Sequence, residues 1–248
     1  MAAATPFLSL IVPAYNEAAR LPHTLPLIMA FAETQPYPIE VLVVDNASSD
    51  GTREIAERIA ATAPGVRVLH EQIRGKGAAV RAGALAAAGE WIFFADADLS
   101  MPIAEVERFL PERTGDADIA IASREALGAV RYDEPELRHL MGRVFNLWVR
   151  MVAVPGVADT QCGFKCFRRA AARDLFARQT VTDWTFDVEL LFLARRRGYR
   201  IFEVPIHWTY KPNSRVNPLR DALKMARGVL RIRWHALRGR YGRIEPIS

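Results

Sequence analysis

Apolar runs of four to six residues alternate with helical stretches through the first half of the chain. Phe7 to Val12 reads as a strand closed by Pro13, because proline donates nothing to a central ladder. A helix is expected from about Glu17 to Ala32, interrupted by Pro22 and Pro26. Val41 to Val44 is apolar throughout and rich in β-branched residues, the pattern of a strand buried on both faces. Ser49 or Asp50 is placed to cap the next helix, which carries Ile55, Ile59 and Ala63. Val66–Leu69 predicts a third strand, Gly77–Ala88 an alanine-rich helix and Trp91–Ala95 a fourth strand. After Pro102 the pattern predicts a helix to about Arg113, a strand over Asp118–Ala122 and a helix over Glu136–Val152. It continues with the segment Gln161–Phe167, a helix near Phe186–Arg197 and a strand over Tyr199–Tyr210 kinked at Pro205. Such alternation implies α/β architecture, a mostly parallel central sheet with helices on both faces. No internal repeat or low-complexity linker breaks it. The expected organisation is one catalytic domain over 1–217 and a C-terminal helix and tail over 218–248.

With 248 residues, half hydrophobic and a quarter charged, the chain can bury a full core. No apolar run reaches membrane-spanning length and the N-terminus lacks a signal-peptide pattern. Two cysteines, Cys162 and Cys166, form neither a disulfide framework nor a zinc set and are expected to pack. The default setting is cytoplasmic. Net charge is +5, but residues 219–248 alone carry eight Lys/Arg against two Asp/Glu. The basicity therefore belongs to the tail, which points to a local anionic surface rather than to general nucleic-acid binding.

Chemistry concentrates where apolar runs end. Ligands on open α/β sheets sit beyond the carboxyl ends of the strands, at a topological switch point. Asp96 and Asp98 follow the fourth run, and side chains two apart on an extended segment face one way. Two such carboxylates repel unless a cation lies between them, and hard oxygen ligands beside a phosphate suit Mg²⁺ or Mn²⁺. Asp45, after the second run, can accept from a ribose hydroxyl or a base imide. Pro13-Ala-Tyr-Asn-Glu17 stands where a dinucleotide fold would carry its glycines, which disfavours a nicotinamide oxidoreductase. Tyr15 offers a stacking face for a base and Glu17 an acceptor. Arg74-Gly-Lys-Gly77 opens a helix, where Lys76 and free N–H groups attract phosphate.

Pro13-Ala-Tyr-Asn-Glu17, Val43-Val-Asp-Asn-Ala-Ser-Ser-Asp-Gly-Thr52, Arg74-Gly-Lys-Gly-Ala-Ala-Val-Arg-Ala-Gly83 and Ala95-Asp-Ala-Asp98 together resemble the family 2 glycosyltransferases with a GT-A fold. Asp159-Thr-Gln-Cys-Gly-Phe-Lys165, Trp184-Thr-Phe-Asp-Val-Glu-Leu-Leu191 and Ser214-Arg-Val-Asn-Pro look like the dolichyl-phosphate β-glucosyltransferase branch, related to the dolichyl-phosphate mannose synthases. The resemblance spans roughly residues 7–235. Eukaryotic members carry an N-terminal anchor not seen in this sequence, so membrane attachment is expected to come from elsewhere.

The resemblance implies inverting transfer of a sugar, glucose from UDP-glucose in this branch, onto a polyprenyl or dolichyl phosphate. It implies nucleotide-sugar contacts from Pro13, Tyr15, Glu17, Asp45, Lys76 and Asp96. Asp96 and Asp98 would hold the metal, its shell completed by donor phosphate oxygens and water, since Ser100 is a poor ligand. Arg124, Arg138 and Arg215 are the implied grip on the acceptor phosphate. Gly142 stands where mannose synthases have a serine, one turn after the helix arginine. Asp159 and Asp187 are expected to orient the sugar or act as bases, beside Asp98 in the catalytic set; His207 is expected to be structural. The alternatives are another donor such as GDP-mannose, a saccharide hydroxyl acceptor that would need a base, or a nucleotide-sugar-binding protein without turnover.

From Pro218, the positions Leu219, Ala222, Leu223, Ala226, Leu230, Trp234 and Leu237 follow helical spacing. Arg220, Lys224, Arg227, Arg231 and Arg238 form an adjacent stripe. A basic amphipathic helix with a tryptophan suits the anionic cytoplasmic face of a membrane. Equally, its apolar face could pack on the catalytic domain, leaving the arginines merely solvated.

Overall fold

The computed structural model describes residues 5–209 and 218–242, except the side chains of Leu137, Arg138, Met141 and residues 218–222. Its centre is a seven-stranded sheet formed by β1 (Leu8–Ala14), β2 (Ile39–Asp45), β3 (Val66–His70), β4 (Trp91–Phe94), β5 (Ile119–Ser123), β7 (Lys165–Arg168) and β8 (Ile201–Pro205). The order is β3-β2-β1-β4-β7-β5-β8. All neighbours run parallel except β7, which lies antiparallel between β4 and β5. The chain winds outward from β1 through β2 to β3, then returns to the other side of β1 as β4. The switch point thus lies between β1 and β4.

Strand parity builds the two layers of core. On β4, Trp91 and Phe93 join Leu8, Leu10, Val41 and Val43 on one face. Ile92 and Phe94 join Ile11, Leu42 and Val44 on the other. The first face is covered by α1 (Leu21–Thr34) and α2 (Thr52–Thr62). The second is covered by α3 (Lys76–Ala86), α6 (Arg169–Arg178) and α7 (Phe186–Arg197). Continuous apolar strands are therefore what two covered faces require.

Several boundaries differ from the sequence reading. β1 runs on through Pro13, which pairs in register with Val44. Pro13 is tolerated because β4 pairs only as far as Ile11, so the strand has one neighbour there. The first helix starts at Leu21, with Pro22 in its opening turn. Gly51, at a left-handed φ of 81°, precedes α2, while Asp50 accepts the Thr52 N–H at 3.2 Å. The helix expected after Pro102 is a 3₁₀ helix (Ile103–Phe109) followed by the single turn α4 (Pro111–Thr114), because Pro111 has no N–H with which to continue it. Of the segment Gln161–Phe167, only the end is a strand, β7, which begins at Lys165. That expected from Tyr199 splits at Pro205 into β8 and β9 (His207–Thr209). β9 pairs with β6 (Val130–Tyr132) in a separate two-stranded sheet. Neither β6 nor α6 was expected. α5 (Glu136–Val152) and α7 match their predicted bounds.

The C-terminal helix α8 (Pro218–Leu237) is not an appendage. It packs on α5 and α7, with Val229, Ile232 and the following Tyr241 in the core. Gly228 is pressed so closely on Thr185 that a Cβ there would collide with the threonine side chain. Among the described residues, no helix is long and apolar enough to cross a membrane.

Candidate active site

Three connections at the carboxyl edge of the sheet shape the site. The segments after β1 and β2 knit together: the Asn16 N–H donates to Ser48 Oγ (3.0 Å), the Ser49 N–H to Asn16 Oδ1 (2.9 Å), and the Glu17 N–H to Thr52 Oγ1 (2.8 Å). Asn46 then ties in the loop after β3. Its Nδ2 donates to the carbonyls of Glu71 and Ile73, and its Oδ1 accepts the Gly75 N–H at 2.7 Å. Gly75, at φ 135°, lies against the Thr182 carbonyl, where a side chain would collide. Lys76 is thereby delivered at the first turn of α3.

Asp45 closes β2, buried to 1% exposure. One carboxylate oxygen, Oδ2, faces His70 Nδ1 at 3.2 Å, a contact set by the β2–β3 register. The other, Oδ1, is buried and has no hydrogen-bond partner among the described residues. An orphaned carboxylate oxygen costs about 1–3 kcal/mol or more, which a donor from a ligand would offset. Tyr15 is partly exposed, with the Arg74 guanidinium 5.7 Å from its ring centroid. Glu17 is engaged by Arg20 at 2.9 Å.

The fourth strand ends at Phe94, so Asp96 and Asp98 stand on a turn rather than on an extended segment as expected. The Leu99 N–H donates to the Asp96 carbonyl (3.1 Å), with Leu99 at a φ of 43°. Asp98 Oδ1 accepts from the Ser100 N–H and hydroxyl at 2.9 and 2.8 Å, so Ser100 braces the carboxylate instead of competing for a cation. Lys76 Nζ forms an ion pair with Asp96 Oδ1 and lies 5.1 Å from the Trp184 ring centroid. Burial pulls the Lys76 pKa down, but Asp96, Asp187 and Asp98 outweigh it and leave it raised. A cation is thus already seated on the carboxylate that would share a metal. The donor set, two carboxylates open to further oxygens, fits a divalent ion whose remaining ligands are phosphate and water.

Asp187 lies in the first turn of α7, 3% exposed, where the helix N-terminus favours an anion. Lys165 Nζ donates to its Oδ1 at 2.8 Å. Burial raises the Asp187 pKa, Lys165 and Lys76 oppose this, and Asp96 adds to it; the net shift is upward. The loop before β7 closes the back of the site, with Gly163 so tight against Asp96 that a Cβ would overlap its carboxylate. Lys165 was not singled out from the sequence, because its partner is 22 residues away across the fold.

Asp159 is claimed by Arg124. It is fully buried and accepts from Arg124 Nε (2.7 Å), Arg124 Nη2 (3.1 Å), the Arg124 N–H (3.1 Å) and the Gln161 N–H (3.2 Å). Burial alone would raise its pKa, but Arg124 and these hydrogen bonds lower it to about 2. Arg124, directly after β5, also stacks on Trp208 with its guanidinium 5.4 Å from the ring centroid. The backbone of Arg138 lies in α5, but its side chain is outside the described residues, and so is Arg215. A Cβ on Gly142 would meet open space.

Cys162 and Cys166 are free and buried, as packing residues should be; burial pushes the Cys162 thiol up to about 11 and Cys166 higher still. His207 is exposed on β9.

Residues 9–176 match the model for "Glycosyl transferase family 2". The chain is 38% identical to a dolichyl-phosphate beta-glucosyltransferase of Drosophila melanogaster, over 91% of this chain and 74% of that protein. It is 34% identical to the Homo sapiens protein of the same name, over 94% and 76%. Among solved structures, mannosyl-3-phosphoglycerate synthase from Rubrobacter xylanophilus aligns with a TM-score of 0.68 at 21% identity, covering 96% of this chain and 76% of that one. Glucosyl-3-phosphoglycerate synthase from Mycobacterium tuberculosis, in complex with Mn²⁺, UDP and phosphoglyceric acid, aligns at 0.62 and 22%, covering 99% and 81%. The fold is therefore GT-A, and the chain belongs to glycosyl transferase family 2.

Proposed function

We propose that the protein transfers glucose from UDP-glucose, with inversion, to a polyprenyl or dolichyl phosphate at a membrane surface, using Mg²⁺ or Mn²⁺. The observation that carries this reading is the charge arrangement beyond β4: Asp96 and Asp98 on one turn, with the Lys76 ammonium seated on Asp96. The named activities of the relatives narrow it to phosphate acceptors.

When bound, a divalent ion on Asp96 and Asp98 supplies charge neutralisation for the leaving diphosphate. Lys76 stands at the start of α3, where its ammonium and the helix N-terminus both favour phosphate. The unpartnered Asp45 oxygen accepts from the base, and Asp187 orients the sugar from the α7 side. A phosphate monoester has a second pKa of about 6, so the acceptor is already nucleophilic near neutral pH. Positioning and charge neutralisation therefore carry the step without a strong base. Bringing one anion to another requires cations, a role suited to Arg124, Arg138 and Arg215.

The test is incubation with UDP-glucose, GDP-mannose and other donors, with Mg²⁺ or Mn²⁺ and short polyprenyl phosphates. An acid-labile glycolipid formed from UDP-glucose is the expected product. No product with any phosphate acceptor overturns the lipid reading.

Two helix faces support attachment to the cytoplasmic side of an anionic membrane. On α8, Leu223, Leu230, Trp234 and Leu237 are 45–85% exposed, while Val229 and Ile232 make the core contact. These four positions of the expected apolar stripe are thus open to solvent, flanked by exposed Lys224, Arg227 and Arg238, while Leu219 and Ala222 lie outside the described side chains. On α5, which packs beside α8, Leu140, Val144, Leu147 and Met151 repeat the pattern at 54–71% exposure. Contiguous exposed apolar faces mark interaction sites. Deleting α8 would remove core residues, so surface substitution is the cleaner probe. The triple variant Leu230→Glu, Trp234→Glu, Leu237→Glu should bind anionic vesicles at least about tenfold more weakly in a flotation assay. Wild-type binding should weaken with salt; undiminished binding by the variant would exclude this face.

A further inference from the structure

Lys165 is 0% exposed, the only lysine among the described residues buried so deeply. Its Nζ donates to the Cys162 carbonyl at 2.5 Å and to Asp187 Oδ1 at 2.8 Å, and lies 5.6 Å from the Phe94 ring centroid. Such an ion pair is a poor source of stability, because desolvation of two charges offsets their attraction, and an apolar pair of the same size often does as well. Its location suggests another use. Lys165 opens β7 beside the end of β4, in register with Phe94. Cys162 belongs to the loop whose Gly163 abuts Asp96. Asp187 stands in the first turn of α7. One ammonium therefore joins the loop behind the metal-side carboxylate to the carboxylate on the opposite wall.

We infer that Lys165 is a positioning residue for sugar transfer, holding the Asp187 carboxylate in place relative to the Asp96–Asp98 turn. The site then has two cations with separate duties. Lys76 is on the open side, paired with Asp96 and able to exchange that partner for donor phosphate. Lys165 is sealed in and stays with Asp187 throughout. The charges of Lys165 and Lys76 favour the Asp187 carboxylate, while that of Asp96 opposes it. Removing Lys165 would leave a buried carboxylate whose least costly response is to take up a proton or turn away.

This inference rests on the sugar-transfer reading, and its test separates the two. UDP release from the donor into water needs no lipid acceptor, so it reports on the site even where lipid transfer fails. The variants are Lys165→Met, Asp187→Asn and the double. Lys165→Met should bind UDP with Mn²⁺ within about threefold of wild type, yet lose about 100-fold in kcat, the scale of a misplaced catalytic group. Asp187→Asn should lose a similar factor. The double should be no worse than the poorer single, because Lys165 acts only through Asp187. If Lys165→Met does not fold, the double, which removes both buried charges, is compared with Asp187→Asn alone. Wild-type kcat in Lys165→Met, or a double whose loss is the product of the singles, overturns the positioning role. A wild-type protein that turns over no donor at all overturns the sugar-transfer reading and this inference together.

Discussion

Asp98→Asn should lower the initial rate of sugar transfer by about 10²–10³-fold, the cost of removing one preorganised group from a developing charge. Its fold should melt within a few degrees of wild type. Asp98 stands partly exposed on the turn after β4, and its bonds from the Ser100 N–H and hydroxyl are ones an asparagine oxygen can also accept. The change therefore removes the charge and keeps the brace. Chelation of divalent ions from the wild-type enzyme should have an equal or larger effect, reversed by adding Mg²⁺ or Mn²⁺. Titration of Mn²⁺ in the presence of UDP should show the loss in affinity directly. An Asp98→Asn enzyme with ordinary activity would take Asp98 out of the site.

Asp159→Asn should fail in the opposite way. The variant leaves the half-buried Arg124 guanidinium without its counter-charge, at a cost of about 3 kcal/mol, the lower end for breaking a buried pair. For a chain of this size that corresponds to roughly 10 °C in melting temperature. Its pH dependence has a definite sign. The folded-state pKa, about 2, lies below the ordinary 3.8, so the carboxylate contributes stability that is complete above the ordinary value and lost as pH falls towards 2. Wild-type melting curves between pH 5 and 2 should show this loss, and Asp159→Asn should lack that component. A variant that melts like wild type but does not turn over would restore Asp159 to the catalytic set.

What could be read from the sequence was whatever a local pattern encodes. The continuous apolar runs at Val41–Val44 and Trp91–Phe94 announced strands covered on both faces, and the residues just beyond them, Asp45 and Asp96, fell at the sheet edge where ligands bind. α6 went unseen because its buried face, Ala171, Ala172, Leu175 and Phe176, spans under two turns and is interrupted by charged residues. β6 is three residues long and exists by backbone pairing with β9, so no periodicity could announce it. The same limit applies in the site. His70 meets Asp45 through strand register, and Lys165 meets Asp187 through the packing of α7 on the sheet; neither contact leaves a trace in spacing. The pairing of Asp159 with Arg124, 35 residues earlier, is likewise invisible in spacing.

The close seat of Gly228 on Thr185 joins α8 to the start of the Asp187 helix as one mount. For an acceptor confined to a bilayer, such a mount would fix the height of the sugar-bearing carbon above the lipid headgroups. The search for the acceptor phosphate would then become planar, and its effective concentration would be set by the lipid's surface density rather than by its scarcity in bulk water.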